Sequence, residues 1–301
     1  MLKVAAVVCL STFALNNSTE AQALNGTLRK IVETGEIVVS HRDASIPFSY
    51  VDDKQRPVGY ALEICLKVAE AAKRELGKTD IQTKLSLVNS ATRIPLLLNG
   101  TVDMECGSTT NTVERQQQVA FSMTYFVTGN RILAKKSSGI KGLSDLRGKT
   151  VASNSGTTNL RQITEINTRQ AMGMNVIAGK DLAESFLLLE TDRAAALVMD
   201  DILLSSLSAN SRSPDDYQLV GEPLSIEPYA IMIRKDDPAF KAVVDKAMID
   251  LMKSGEIESI YKKWFLSAIP PRGIVLNLPP SEALRKAWAA PTDAAETEAY
   301  R

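Results

Sequence analysis

The chain has 301 residues, 45% of them hydrophobic and 23% charged, which is the profile of one large globular domain or two ordinary ones rather than of a disordered or fibrous chain. Its 35 basic residues balance its 35 acidic ones, and no basic stripe or polybasic run stands out, so nucleic acid is excluded as a natural partner and an electrostatic membrane anchor is absent from the sequence.

In chain order, residues 1–23 read as a signal peptide. Lys3 supplies a positive start, Val4 to Leu15 a short apolar run, and Ala21-Gln22-Ala23 a small-x-small cleavage site. The run is too short for a stable anchor, and no other stretch has the length and apolarity of a membrane span. Cys9 follows Val8, whereas a lipid-attachment cysteine wants a small residue before it. A periplasmic location follows from this leader. The mature chain keeps Cys65 and Cys106; an oxidising compartment is compatible with one disulfide, and two buried thiols are the alternative, because sequence does not fix the distance between them.

Strand-like and helix-like segments then alternate. A helix over 28–34 ends at Gly35 and a strand covers 36–40. An amphipathic helix over 61–76 carries Leu62, Cys65, Ala69, Ala72 and Leu76 on one face and stops at Gly77. A strand follows over 84–88, a helix over 94–99 and a strand over 102–105. The grammar resumes with a strand at 150–152, a helix at 158–170, a strand at 194–199 and a helix at 201–209. Helices 239–253 and 256–265, parted at Gly255, come last. This alternation predicts open, mainly parallel sheets covered by helices. Segments 122–130 and 223–230 read as two passages between lobes: if they are adjacent strands, the chain enters a second lobe, completes it and returns. The Pro- and Ala-rich tail after Ile269 is expected to wrap the surface or stay partly disordered.

Motifs for catalysis are missing. The one histidine, His41, has no G-x-S-x-G serine to serve, metal-ligand clusters are lacking, and no phosphate-binding or dinucleotide glycine motif appears. No cofactor is therefore expected. Instead, polar segments follow the predicted strands: His41-Arg42-Asp43, Ser90-Ala91-Thr92-Arg93, Gly107-Ser108-Thr109-Thr110 leading to Arg115, Ser155-Gly156-Thr157-Thr158, and Asp200. Taken singly, Ser90, Ser108, Thr110, Thr157, Thr158 and Asp200 are each as easily read as helix caps. Together they favour a cleft, since ligands of open α/β sheets bind off the carboxyl ends of strands.

Several stretches carry a family resemblance: His41-Arg42 with Pro47-Phe48-Ser49-Tyr50; Arg93-Ile94-Pro95-Leu96; Glu105-Cys106-Gly107-Ser108-Thr109-Thr110-Asn111 with Glu114-Arg115; Ser155-Gly156-Thr157-Thr158; Met199-Asp200-Asp201; and Lys263-Trp264-Phe265. Over roughly residues 27–280 the chain resembles the periplasmic glutamate/aspartate-binding proteins of ABC importers. The resemblance implies an α/β, two-lobed Venus-flytrap fold of the type II periplasmic binding-protein kind, each lobe an open mainly parallel sheet, joined by two hinge strands. The expected division is 24–126 with 228–285 as lobe one, 127–227 as lobe two, and 286–301 as a C-terminal tail.

By the same resemblance, Arg115 holds the ligand's α-carboxylate with Ser108, Thr110 and Thr158. Asp200, with Ser108, takes the ammonium, while Arg42, Ser90 and Arg93 meet the side-chain carboxylate. The implied partners are glutamate or aspartate and the permease subunits of an importer, and the implied state is a monomer without enzymatic activity. Two positions depart from the family. Leu182 stands where the family has a histidine, which opens the alternative of a pocket shifted towards glutamine, asparagine or another small dicarboxylate. Ile231 stands where the family often has the partner of Cys106, so that Cys106 pairs with Cys65 or stays free. A dehydratase-like enzyme on the same fold is the remaining alternative.

Overall fold

The computed structural model describes residues 24–301; the signal peptide expected over residues 1–23, with Cys9, lies outside the described residues. In chain order the elements are α1 (Gly26–Thr34), β1 (Glu36–His41), β2 (Ala44–Ser45), β3 (Ser49–Val51), β4 (Pro57–Val58), α2 (Tyr60–Glu75), β5 (Gln82–Leu87), α3 (Arg93–Leu98), β6 (Val119–Phe121), β7 (Phe126–Lys135) and β8 (Thr150–Asn154). There follow α4 (Thr158–Arg169), β9 (Asn175–Gly179), α5 (Leu182–Glu190), β10 (Ala196–Asp200), α6 (Asp201–Asn210), β11 (Tyr217–Tyr229), β12 (Met232–Arg234), α7 (Pro238–Lys253), α8 (Glu256–Phe265) and α9 (Glu282–Ala289).

Two sheets organise them. In the first, β5 pairs with β1 in parallel. Val39 of β1 bridges in parallel to Met104, Glu105 bridges antiparallel to Met232, and β12 pairs antiparallel with β6. The second sheet has the order β11-β7-β10-β8-β9. Here β8 is parallel to β10 and β9, whereas β7 is antiparallel to both of its neighbours. The sheets are thus mixed rather than mainly parallel. The reason is topological: the chain crosses between the sheets once outward along β7 and once back along β11, and two opposite crossings placed side by side must be antiparallel. They pair from Tyr229 opposite Phe126 to Tyr217 opposite Lys135, with one irregularity between Val220 and Ser225. The strand expected at 102–105 shrinks to its bridges at Met104 and Glu105, and the ribbon β2-β3-β4 was not legible in the sequence.

Period and burial agree in the helices. On α2 the apolar face Leu62, Cys65, Val68, Ala69 and Ala72 is buried. Below the two crossing strands lies an aromatic cluster. Phe126 stacks on Phe265 at 5.1 Å, Tyr261 on Phe265 at 4.2 Å, and Phe48 meets Tyr229 edge-on at 5.1 Å. Each such buried ring contributes about 1.5–3 kcal/mol, so the base of the crossing is among the most firmly packed parts of the molecule. Cys65 and Cys106 form a disulfide with Cα atoms 6.1 Å apart, which ties α2 to the segment just before Gly107. The tail is ordered and packed, not frayed: α9 buries Leu284, Ala287 and Trp288, and Tyr300 is buried as well. Among the described residues no helix is long and apolar enough to cross a membrane, and no group of His, Cys, Asp and Glu side chains could hold a metal ion.

Candidate functional site

The polar segments read from the sequence meet where the two sheets face each other. Arg42 follows the end of β1, and its guanidinium lies between two partners: Nε donates to Glu105 Oε1 at 3.1 Å and Nη1 to the Ser90 hydroxyl at 3.0 Å. Ser90 is reached from the second sheet by Asn154 Nδ2 at 3.1 Å, so this hydroxyl joins both halves of the molecule. Arg93 opens α3 and is 2% exposed. Its Nη1 donates to the Thr109 hydroxyl and lies 3.4 Å from the Ser108 carbonyl, while Nη2 lies 3.4 Å from the Gly156 carbonyl of the opposite half. Arg115 Nη1 donates to the Thr110 carbonyl at 2.8 Å, and its Nη2 also faces Gly156, at 3.4 Å.

The close approach has a sequence cause. Gly156, with φ of +74°, turns the chain into α4; a Cβ there would stand 2.6 Å from the Ser90 carbonyl oxygen and 2.7 Å from Ala91 Cα. Any other residue would prop the halves apart. Gly107 serves similarly within the first half, since a Cβ would stand 2.9 Å from Arg42 Nε.

The helix-cap readings separate cleanly. Thr157 is the cap of α4, its hydroxyl accepting from Leu160 N at 3.1 Å. Thr158, one residue on, is free of that duty and donates to Glu227 Oε2 at 2.9 Å. Asp200 stands at the cap position of α6 but makes no capping bond. Its carboxylate instead accepts from Asn159 Nδ2 at 2.8 Å and from the Tyr229 hydroxyl. All eight candidate residues (Arg42, Ser90, Arg93, Ser108, Thr110, Arg115, Thr158 and Asp200) are thus brought to one region, and all but the half-buried Thr158 are buried.

Electrostatics define what the site lacks. Burial, reinforced by Arg115 and Arg42, pulls the Arg93 guanidinium well below its usual range. Burial would raise the Glu105 carboxyl, but Arg42 and Arg93 outweigh it and hold the group below its ordinary value. At the other end burial, followed by the charge of Glu227, pushes Asp200 up to about 8 against the bonds from Tyr229 and Asn159. Arg42 Nη2 and Arg93 Nε are buried donors without a partner among the described residues. Each such atom costs about 1–3 kcal/mol, more on a charged group, and an anion is what would satisfy them.

Glu105, Asn154, Asn159, Glu227 and Tyr229 escaped the sequence reading as participants. Glu105 reads as a strand residue; the available signal was a carboxylate at a buried strand position, which is seldom tolerated without a cationic partner. Glu227 and Asn159 carried no usable signal, because their neighbours arrive from elements far away in sequence. Leu182, at the start of α5, is buried in the larger apolar cluster, and α5 packs against β2, just beyond Arg42. At the mouth of the interface, Arg161 of α4 pairs with Glu114 beside a cavity of about 170 Å³ lined by Arg115, Gly156 and Thr158.

Two helix-covered mixed sheets, joined by a pair of crossing strands and facing each other across charged strand ends, define the type II periplasmic binding-protein class. A family model for bacterial extracellular solute-binding proteins, family 3, matches residues 37–267, and the chain belongs to that family. It is 52% identical over 276 residues to the L-glutamate/L-aspartate-binding protein of Pseudomonas aeruginosa, covering 91% of either chain. It is 46% identical over 275 residues to the glutamate/aspartate import solute-binding protein of Escherichia coli K12, again covering 91% of either chain. Among solved structures, a mutant of ArgBP from T. maritima matches with a TM-score of 0.71 at 28% identity, over 79% of this chain and 99% of that one.

Proposed function

We propose that this protein captures L-glutamate or L-aspartate outside the cytoplasm and presents it to the permease of an ABC importer, as a monomer and without chemical turnover. Residues 1–23 are the signal peptide that sends it to the periplasm. Lobe one comprises 24–126 and 228–285, lobe two 127–227, and closure turns on the strands between them. Arg115 receives the α-carboxylate with Ser108, Thr110 and Thr158. Asp200 and Ser108 receive the ammonium, and Arg42, Ser90 and Arg93 the side-chain carboxylate.

The observation that carries this reading is the pair of unsatisfied buried guanidinium donors, Arg42 Nη2 and Arg93 Nε, in the same region as Arg115 and Asp200. A neutral side chain would leave the two guanidiniums to share the single carboxylate of Glu105, an expensive condition in a desolvated cleft. The names of the relatives in P. aeruginosa and E. coli point the same way. One observation favours a second reading: Leu182 is a buried apolar residue at the start of α5, the helix that packs on β2 beyond Arg42, and without a polar group there specificity would shift towards glutamine or asparagine.

A thermal-shift screen of the twenty amino acids and small dicarboxylates tests both, on mature protein unfolded and refolded to strip any ligand. A ligand at about 100 times its Kd stabilises by about 2.7 kcal/mol, a shift of several degrees. Glutamate or aspartate alone responding supports the first reading. A response limited to glutamine and asparagine supports the second, and a response only to non-amino acids defeats both.

A further inference from the structure

The C-terminal segment belongs to neither sheet, yet it is bonded to the arm that carries Arg115. The Asp293 carbonyl accepts from Asn111 Nδ2 at 2.9 Å and from Gln116 Nε2 at 3.0 Å, and Gln116 Nε2 also reaches Asn111 Oδ1 at 3.0 Å. Asn111 is 1% exposed. These two side chains directly follow Thr110 and Arg115 in the chain, whose own bond closes the arm. A second attachment holds the entry to β7: Thr124 N donates to the Thr292 carbonyl at 2.8 Å, and the Thr124 and Tyr300 hydroxyls are 2.7 Å apart. A third is the ion pair of Lys241 with the Asp293 carboxylate at 2.9 Å. On its other flank the arm is tied to the end of β11, with Asn111 N donating to the Pro228 carbonyl at 2.7 Å.

We propose that residues 290–301 form a strap that positions the arm from Thr110 to Arg115, so that the guanidinium receiving the ligand's α-carboxylate is held by a segment that touches no ligand itself. The arm needs such support. Apart from a three-residue turn, Arg115–Gln117, it has no regular structure between Gly107 and β6. Without the strap, its backbone would rest on the β11 flank and on the Lys235 bond to the Gln117 carbonyl, and Arg115 would be less ordered before binding. The common carboxylate of all amino acids depends on residues 110–115 directly, whereas Arg42 is held by Glu105 and Ser90, and Arg93 by Ser108 and Thr109, which precede the strapped residues. The inference rests on the role given to Arg115 above.

The test uses two variants of the full chain: deletion of 290–301, and Asn111→Ala combined with Gln116→Ala. Each is made with Arg115 intact, with Arg115→Lys and with Arg93→Lys. Calorimetry reads the L-glutamate Kd, and backbone hydrogen exchange reads the ligand-free protein. The strap predicts about tenfold weaker binding with Arg115 intact, under about twofold further loss with Arg115→Lys, and an additive loss with Arg93→Lys. It also predicts faster exchange over residues 110–118. Equal losses in all three backgrounds would make the tail merely structural and overturn the proposal, as would unchanged exchange over 110–118. If the unaltered protein binds no amino acid, the ligand reading fails on its own, and the exchange result still decides the strap. Should the deletion not fold, the two-residue variant carries the test.

Discussion

Glu105 and Arg42 form an ion pair, Nε to Oε1 at 3.1 Å, with side chains 0% and 4% exposed. The second carboxylate oxygen accepts from Thr109, whose hydroxyl in turn accepts from Arg93. One acidic residue therefore braces two of the three site arginines, directly and through a hydroxyl, while Arg42 Nη2 and Arg93 Nε have no partner among the described residues.

Replacing Glu105 with Gln keeps the shape and removes the charge. Losing one partner of a buried pair costs about 3 kcal/mol or more, so the ligand-free variant should melt on the order of 6 °C lower. Saturating L-glutamate should recover part of that loss, because its carboxylate supplies the missing counter-charge. An unchanged melting temperature without ligand would show that Glu105 does not stabilise the arginines.

Arg115→Ala and Arg93→Ala should differ in kind. On the roles proposed above, the first removes the contact to a carboxylate that every amino acid has, so binding of all of them should be lost. The second removes a side-chain contact worth about 1.5–3 kcal/mol, or on the order of 10- to 100-fold, for an acidic ligand only. Calorimetric titration with glutamate and glutamine reads the contrast, and equal losses for both ligands in the Arg93 variant would contradict the side-chain assignment.

How much of this was legible beforehand follows from where each signal resides. The periodicity of α2 and the glycines that stop helices are local, so most of the elements that were predicted were placed to within a residue or two, whereas β9, α5, β12 and α9 were not read. The strand ends were readable as a set because five polar segments each follow an apolar run. What could not be read was pairing between distant segments. Glu227 meets Thr158 across 69 residues, and the tail reaches Asn111 across 182. Nor does a Pro- and Ala-rich composition reveal that Trp288 and Tyr300 are buried against the crossing. The mixed sheet follows from the double crossing and not from any single strand.

The Asp200 carboxyl predicts a pH dependence of binding. Its value in the folded protein, about 8, lies above its ordinary one, raised by burial and by Glu227. The facing groups are Glu227 and Tyr229 on β11, Asn159 on α4, Asp201 on α6 and Arg115 on the arm. The folded state thus holds a proton that the unfolded chain releases near pH 4, and this contribution to stability is full at low pH and lost as pH rises towards about 8. A ligand ammonium competes with that proton. Affinity for glutamate should therefore rise with pH up to about 8 and then level off, with proton release approaching one per ligand well below that pH. Titrations in two buffers of different ionisation enthalpy measure the release directly, and its absence at pH 6 to 7 would show that Asp200 is already ionised there.

Arg161 and Glu114 predict a salt-sensitive step in ligand release. They pair across the mouth of the interface from opposite halves, with side chains 46% and 57% exposed. A pair this exposed contributes little to folding and is screened by salt, so its effect should fall on the rate of opening rather than on stability. Glu114→Gln should accelerate dissociation of glutamate by about threefold at low ionic strength, with the melting temperature of the ligand-free protein unchanged. At about 1 M salt, where the screening length is roughly 3 Å, the variant and the parent should dissociate at the same rate. Stopped-flow displacement reads both conditions. A difference that survives high salt would mean that Glu114 acts through packing around Arg115 and not as a charged latch.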